Sequence, residues 1–516
     1  MPEESIHCAM AAKETALAAG IIQSAAFESQ TWAGGYFNVI LDWIQTLPET
    51  EIRARPRLAL LAARTWYLSG NVRKARSMLS YALQFVEQDM PPGASRPERE
   101  ALLPEVLLHQ ATFAANDGQV GHAVELVQKA LALLPEPAWA RAYHTLAIAY
   151  ALRGDFGQAE AALAECIQRS WPQGISLNAV GQQVQLLLHR GEILRAEETA
   201  RQALADCQEA DAPLPATGSL HAALAEVLLD QYRLEEAEAA ANLAIDLSRQ
   251  GQIAETQRYA WWVLAQVHLL QGKEFGEALR QLAALTHGFG IPRLQSQLEA
   301  CQALRLLWQG EVAEALQWAE RAQAAPAGEV FHDFEELTQA RVYLAANRVA
   351  DASALLEDFC QRTAQAGRLR SQSEARVLLA LAQKQQGQEK YAVQTLASTV
   401  WRSAPQKFLR PFAQETQLLD LLQQIPGTAD DFLQPMLGDR PNSKTTHPSI
   451  HLVDPLTPRE LEVLRLIADG LTNQEIAERL CFTVGTVKWY ANQINSKLGV
   501  ENRAKAAARA RSLGLV

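Results

Sequence analysis

The sequence predicts an all-α protein: a long solenoid of stacked helical hairpins, then a small helical domain containing a helix-turn-helix. Three observations predict it. β-branched alternation is scarce over residues 1–426, where Ala, Leu, Gln, Glu and Arg recur at helical spacing. One short pattern repeats along that stretch. The last sixty residues carry two helix-start signals, a tight turn and a polar helix face.

The repeat defines the hairpins. A residue suited to a tight turn is followed five positions later by alanine, at Gly70/Ala75, Gly118/Ala123, Gly154/Ala159, Gly191/Ala196, Tyr232/Ala237, Gly310/Ala315, Asn347/Ala352 and Gly387/Ala392. Gly272/Ala278 is the same device with one extra residue. Small residues also stand seven positions before the turn, as at Ala63, Ala111, Ala147 and Ala303. Glycine closes the turn and alanine lets the two helices approach closely. The mean step from Ala75 to Ala392 is about 40 residues, longer than the 34 of a tetratricopeptide repeat. The stretch is similar to a tetratricopeptide solenoid with lengthened loops.

Such solenoids present a concave surface built from the first helix of each hairpin. Registering each hairpin on its turn places Arg64, Tyr67, Arg141, His144, Asn178, Gln185, Glu226, Tyr259, Trp262, Gln266 and Arg341 near that surface. Aromatic and amide groups together suit a sugar-like or peptide effector; the same residues also suit an ordinary wet surface.

The C-terminal unit begins at Thr457-Pro458-Arg459-Glu460, a capping box with proline at the first helical position. Leu461, Leu464, Ala468 and Leu471 mark its inner face, and Gly470 its end. A second box, Thr472-Asn473-Gln474-Glu475, opens a helix whose inner residues are Ile476, Ala477 and Leu480. Thr483 caps a third helix with the inner stripe Val487, Ala491, Ile494 and Leu498. Its other face carries Lys488, Asn492 and Asn495, flanked by Trp489 and Gln493. Lys donates to guanine O6 and N7, and Asn pairs bidentately with adenine, so this face suits the DNA major groove. A fourth helix after Asn502 carries Arg503, Lys505, Arg509 and Arg511.

These residues resemble the LuxR-type helix-turn-helix. The likeness rests on Leu456 to Glu460, Glu462-Val463-Leu464, Gly470, Asn473, Glu475-Ile476-Ala477, Leu480, Thr486-Val487-Lys488, Ile494, Lys497 to Val500 and Asn502-Arg503. It implies base-facing positions at Lys488, Trp489 and Asn492, and phosphate-facing positions at Thr483, Thr486 and Lys497. Trp489 would touch a thymine methyl or pack on a neighbouring helix. Ala491, Asn495 and Cys481 depart from the usual residues. Upstream, the run from Leu41 to Pro48 into Ala54–Leu61 resembles the start of the sensor region in MalT-like regulators. Those regulators carry a nucleotide-hydrolysing domain ahead of the solenoid. These 516 residues contain no GxxxxGK[ST] loop, so that domain is not expected here.

The chain's net charge is −11, yet residues 455–516 carry +3, leaving −14 on the remainder. A basic end on an acidic body confines DNA contact to that end. The six cysteines lie far apart without a CxxC pair, which argues for a reducing cytoplasm and against a zinc site. No apolar run is long enough to span a bilayer. The helical pattern lapses from Gly427 to Pro455, with Gly, Pro, Asp, Ser and Thr clustered from Gly438 to Ser449, so 427–454 is the expected linker between a 1–426 solenoid and a 455–516 DNA-binding domain.

No HExxH, GxSxG or zinc-finger spacing occurs, so neither enzyme activity, a metal nor a cofactor is expected. The chain reads as a sequence-specific transcriptional regulator acting on double-stranded promoter DNA as a homodimer. It would contact RNA polymerase and respond to an unknown small-molecule or protein effector, with no membrane partner. The competing reading is a solenoid interaction scaffold whose terminal domain serves mainly for dimerisation.

Overall fold

A computed structural model describes residues 2–28, 37–87, 96–171, 174–209, 214–322, 332–425, 432–433, 458–468 and 471–480. It also describes residues 482, 484, 487–488, 490–491, 494, 503 and 505–506. No strand occurs among them. Helices Pro2–Ala11, Thr15–Glu28, Phe37–Thr46 and Glu49–Arg53 lead into the repeat.

Hairpin 1 pairs Pro56–Leu68 with Val72–Glu87, hairpin 2 Arg96–Asn116 with Val120–Leu131, and hairpin 3 Trp139–Arg153 with Phe156–Ser170. Hairpin 4 is Gly174–His189 with Ile193–Glu209, hairpin 5 Gly218–Asp230 with Leu234–Gly251, and hairpin 6 Ala254–Gln271 with Gly276–Phe289. Hairpin 7 is Pro292–Trp308 with Val312–Arg321, hairpin 8 Asp333–Ala345 with Val349–Gln365, and hairpin 9 Leu369–Gln385 with Glu389–Ser403.

Every turn residue read from the repeat adopts positive φ, from 58° at Asn347 to 84° at Gly154. At Gly70 the amide donates to Tyr67 O (2.9 Å) and the next amide, Asn71, to Trp66 O (2.7 Å). This bond pair ends a helix in a left-handed residue. The alanine that follows each turn is buried, fully so at all but Ala278. Ala63, Ala111, Ala147 and Ala303 are buried on the partner helix. Small side chains on both helices therefore set the close packing within each hairpin.

The stack winds back on itself after five hairpins. The turn of hairpin 1 meets hairpin 6: a Cβ on Gly70 would lie 3.0 Å from Ala254 Cβ, and one on Gly288 would lie 2.8 Å from Gly70 O. Tyr67 meets Phe289 edge-on at 6.3 Å. The turn of hairpin 4 likewise meets hairpin 9, with Gly191 against Leu369 and the Arg370 backbone.

Charge locks the second of these junctions. Arg370 reaches back to hairpin 5, with Nη1 2.7 Å from Glu226 and Nε 2.7 Å from Asp230. Arg410, just past hairpin 9, binds Asp230 and Glu374, each at 2.8 Å. Arg341 binds Glu374 at 2.8 Å and Glu415 at 2.9 Å. The Leu409 amide also donates to Asp230 O (2.9 Å). The result is one buried chain of alternating charge. Burial pushes the Glu374 carboxyl up, but Arg410 and Arg341 prevail and hold it at about 2.

Arg341 was expected near an open concave wall. Its side chain is only 3% exposed, and it is committed to two carboxylates. Phe432 and Leu433 fall in the stretch read as linker. Leu433 is buried in the solenoid's last core, and Phe432 meets Phe412 edge-on at 5.8 Å.

Breaking a buried ion pair from one side leaves its partner charge uncompensated, at a cost of roughly 3–5 kcal/mol. Arg370→Gln is expected to lower unfolding stability by about that much in urea titrations, whereas Arg280→Gln, at an exposed site, is expected to leave it unchanged. Equal midpoints for the two variants would show that the latch contributes nothing.

Candidate DNA-binding face and solenoid cavity

The C-terminal unit is built from helices Pro458–Ala468 and Asn473–Leu480 and the described residues that follow them. The second capping box forms as the sequence predicts. Glu475 accepts from the Thr472 amide (2.6 Å) and hydroxyl (2.8 Å), and the Glu475 amide donates back to Thr472 Oγ1 (3.3 Å). Thr457 of the first box lies outside the described residues.

Val463, Leu464, Ile467, Ile476, Ala477, Val487, Ile494 and Ala506 form the core, with Leu471, Leu480 and Ala491 packed at its edge. Phe482 stacks on Tyr490 at 5.5 Å. Lys488 is helical and exposed beside buried Val487, so its ammonium stands on the outer face. Trp489, Asn492, Thr483, Thr486 and Lys497 lie outside the described residues.

One role was missed from sequence. Arg503 was placed only on a fourth helix after Asn502, with no partner assigned. Its Nη1 donates to Asn473 Oδ1 (2.8 Å), and its other terminal nitrogen donates to the Leu471 carbonyl. It thereby clamps the start of the second helix. A lone Arg thirty residues from Asn473 offers no local signal of such a contact.

In the solenoid, the residues expected on the concave surface separate into groups. Gln185, Trp262 and Gln266 converge on one cavity of about 340 Å³, together with Asn178, Glu226 and Tyr259. The Tyr259 and Trp262 rings stack at 5.8 Å, and Phe334 stands edge-on to Trp262 at 5.6 Å. The Tyr259 hydroxyl donates to Glu226, which ties this aromatic wall to the buried charge chain. Arg410 Nη1 donates to Gln266 Oε1 (3.2 Å), a second tie.

Arg64, Arg141 and His144 come together elsewhere, around hairpins 1 to 3. Arg141 pairs with Glu105, and Arg64 lies near enough to disfavour a proton on His109 and His144. Tyr67 belongs to the junction between hairpins 1 and 6, accepting from Asn116 Nδ2 at 2.8 Å. Among the described residues, no group of His, Cys, Asp and Glu is arranged to hold a metal. Among them too, no helix is long and apolar enough to cross a membrane.

Burial, aided by Arg64, pushes His144 down to about 4 and His109 to about 3; burial and Arg370 push His189 down to about 4. Their stabilising neutrality is fully present above the unfolded value near 6.5. It is lost as pH falls toward 4, because the unfolded chain binds protons that the folded chain refuses. Each histidine contributes a slope of about 1.4 kcal/mol per pH unit. Asp333, raised to about 6 by burial, opposes them between its ordinary value and 6, as do Asp230 and Glu415, also raised by burial, while His221, lowered by burial, adds to them. Urea stability is therefore expected to fall from pH 6.5 to 5, and His144→Asn to flatten that fall. A profile that is level for the parent chain would contradict the burial of these imidazoles.

Comparison with known proteins places both parts. Residues 104–426 match the MalT-like TPR region, and residues 454–510 match the bacterial regulatory proteins of the luxR family. The HTH-type transcriptional regulator MalT of Serratia proteamaculans (strain 568) is 25% identical over 557 residues. The match covers 99% of this chain and 60% of the relative's length. A crystal structure of Rap protein complexed with competence and sporulation factor aligns at a TM-score of 0.47 and 13% identity. That match covers 68% of this chain and 100% of the Rap chain.

Proposed function

Because the chain belongs to the MalT-like family and carries a luxR-family helix-turn-helix, we propose that it binds promoter DNA specifically and that its solenoid receives an effector. The observation that carries the DNA reading is Lys488, exposed on a helix whose opposite residues, Val487 and Ile494, are buried in the terminal core. Lys488, Trp489 and Asn492 read base edges; Thr483, Thr486 and Lys497 contact phosphates. Two copies bind paired half-sites, because one small domain gives too little specificity alone. RNA polymerase is the downstream partner. The effector occupies the cavity at Trp262, Tyr259 and Gln266, and DNA binding needs no ATP.

Binding to DNA fragments selected from a random pool tests this. Lys488→Ala is expected to cost about 1–3 kcal/mol on the preferred site and to relax base preference there. Lys497→Ala is expected to weaken all sequences alike. Unchanged base preference in Lys488→Ala would remove the proposed docking.

The two parts are also proposed to be separable. Phe432 and Leu433 pack on the solenoid core, so the linker proposed between the parts is 434–454 rather than 427–454. Brief trypsin treatment is expected to cut first at Lys444, since Arg440 precedes proline. The released C-terminal fragment is expected to retain DNA binding. Persistence of the full-length band while hairpin loops are cut would indicate that the parts are docked.

A further inference from the structure

The arginines around the cavity fall into two kinds. Arg370 and Arg410 each have a carboxylate oxygen within 2.8 Å. Arg258 and Arg293 line the same cavity, yet neither has a carboxylate within 4.0 Å among the described residues. Arg258 Nη1 donates to Gln297 Oε1 (2.9 Å), and Arg293 Nη2 donates to Asn116 Oδ1 (3.3 Å). The Nε of each is buried without a hydrogen-bond acceptor. Arg258 is only 8% exposed.

Burial, reinforced by nearby Arg293, lowers Arg258 to about 10. At neutral pH it stays protonated. Glu255 offsets part of the burial effect for both arginines without forming an ion pair with either, so two like charges sit close together in a poorly solvated place that favours an added oxyanion. The guanidinium fork suits carboxylate and phosphate oxygens in particular.

We infer that the cavity takes a small ligand bearing an oxyanion, a carboxylate or a phosphate, seated between Arg258 and Arg293. This rests on the reading of the cavity as the effector site. Glu255 and Glu335 also line the cavity and would repel a ligand that is anionic all round. The ligand therefore turns hydroxyl or amino donors toward them, and an apolar face toward the stacked rings of Tyr259 and Trp262. A volume of about 340 Å³ fits one sugar-sized molecule.

Calorimetry and thermal melting of the full chain test this with four probes: inorganic phosphate, citrate, glucose 6-phosphate and uncharged glucose, at fixed ionic strength. At least one oxyanion probe is expected to bind saturably, one per chain, at least tenfold tighter than glucose. The phosphate and citrate arms tell which oxyanion is preferred. The double variant Arg258→Gln/Arg293→Gln is expected to weaken that binding at least tenfold. Without ligand it is expected to melt near the parent, because neither arginine is held in an ion pair among the described residues.

Arg258→Lys, which keeps the charge, is expected to retain binding. Lys488→Ala, at the DNA-binding end, is expected to leave it unaltered. Failure of every oxyanion to bind, or binding that survives the double variant, overturns the inference. So does binding that is lost in Lys488→Ala, which would place the anion on the DNA face. Glucose binding as tightly as the oxyanions, and unaffected by the double variant, would reject the anion while leaving the cavity as an effector site.

Discussion

The solenoid depends on a buried chain of ionic contacts running Glu226, Arg370, Asp230, Arg410, Glu374, Arg341, Glu415. Asp230 is 0% exposed, a position that an ionised carboxylate can hold only with close cationic partners. It has two. Stacked hairpins mostly contact their neighbours, and the small rotation per repeat sets the curvature. Here hairpin 5 is tied to hairpin 9 and to the segment after it. The tie holds that curvature in place, and Glu226, Arg370, Glu374 and Arg410 also line the cavity.

The hairpins were legible because their determinants are local. A left-handed turn residue and a small residue five positions on are both visible within a few residues of one another. Even Tyr232 and Asn347, which lack glycine's freedom, take positive φ where the spacing demands it. The latch was not legible. Arg341 and Glu226 both stood out from the register, but their ionic partners lie one or more hairpins away. Which hairpin meets which follows from the accumulated rotation per repeat, and no single stretch encodes that rotation. The same limit applies to Phe432 and Leu433, whose surroundings in sequence are rich in turn-forming residues, although their side chains pack on the last hairpins.

At the C-terminal end the balance is similar. The Thr472–Glu475 box is a reciprocal bond between residues three apart, so sequence states it outright. Lys488 follows from helical periodicity alone, since its neighbour Val487 is buried. The Arg503 clamp needs the fourth segment to return to the start of the second helix. It holds Leu471 and Asn473 at the start of the second helix.

The latch also has a consequence for synthesis on the ribosome. Asp230 and Arg370 are 140 residues apart, so the carboxylate emerges long before its cation. At about 5–20 residues per second, that interval is roughly 7–28 seconds. During most of it hairpins 1 to 5 are complete, but Glu226 and Asp230 have not yet met Arg370 and Arg410. The nascent protein passes through a strongly acidic, open-ended intermediate. Its acidic residues gain their buried partners only when the arginines of hairpin 9 and the segment after it emerge.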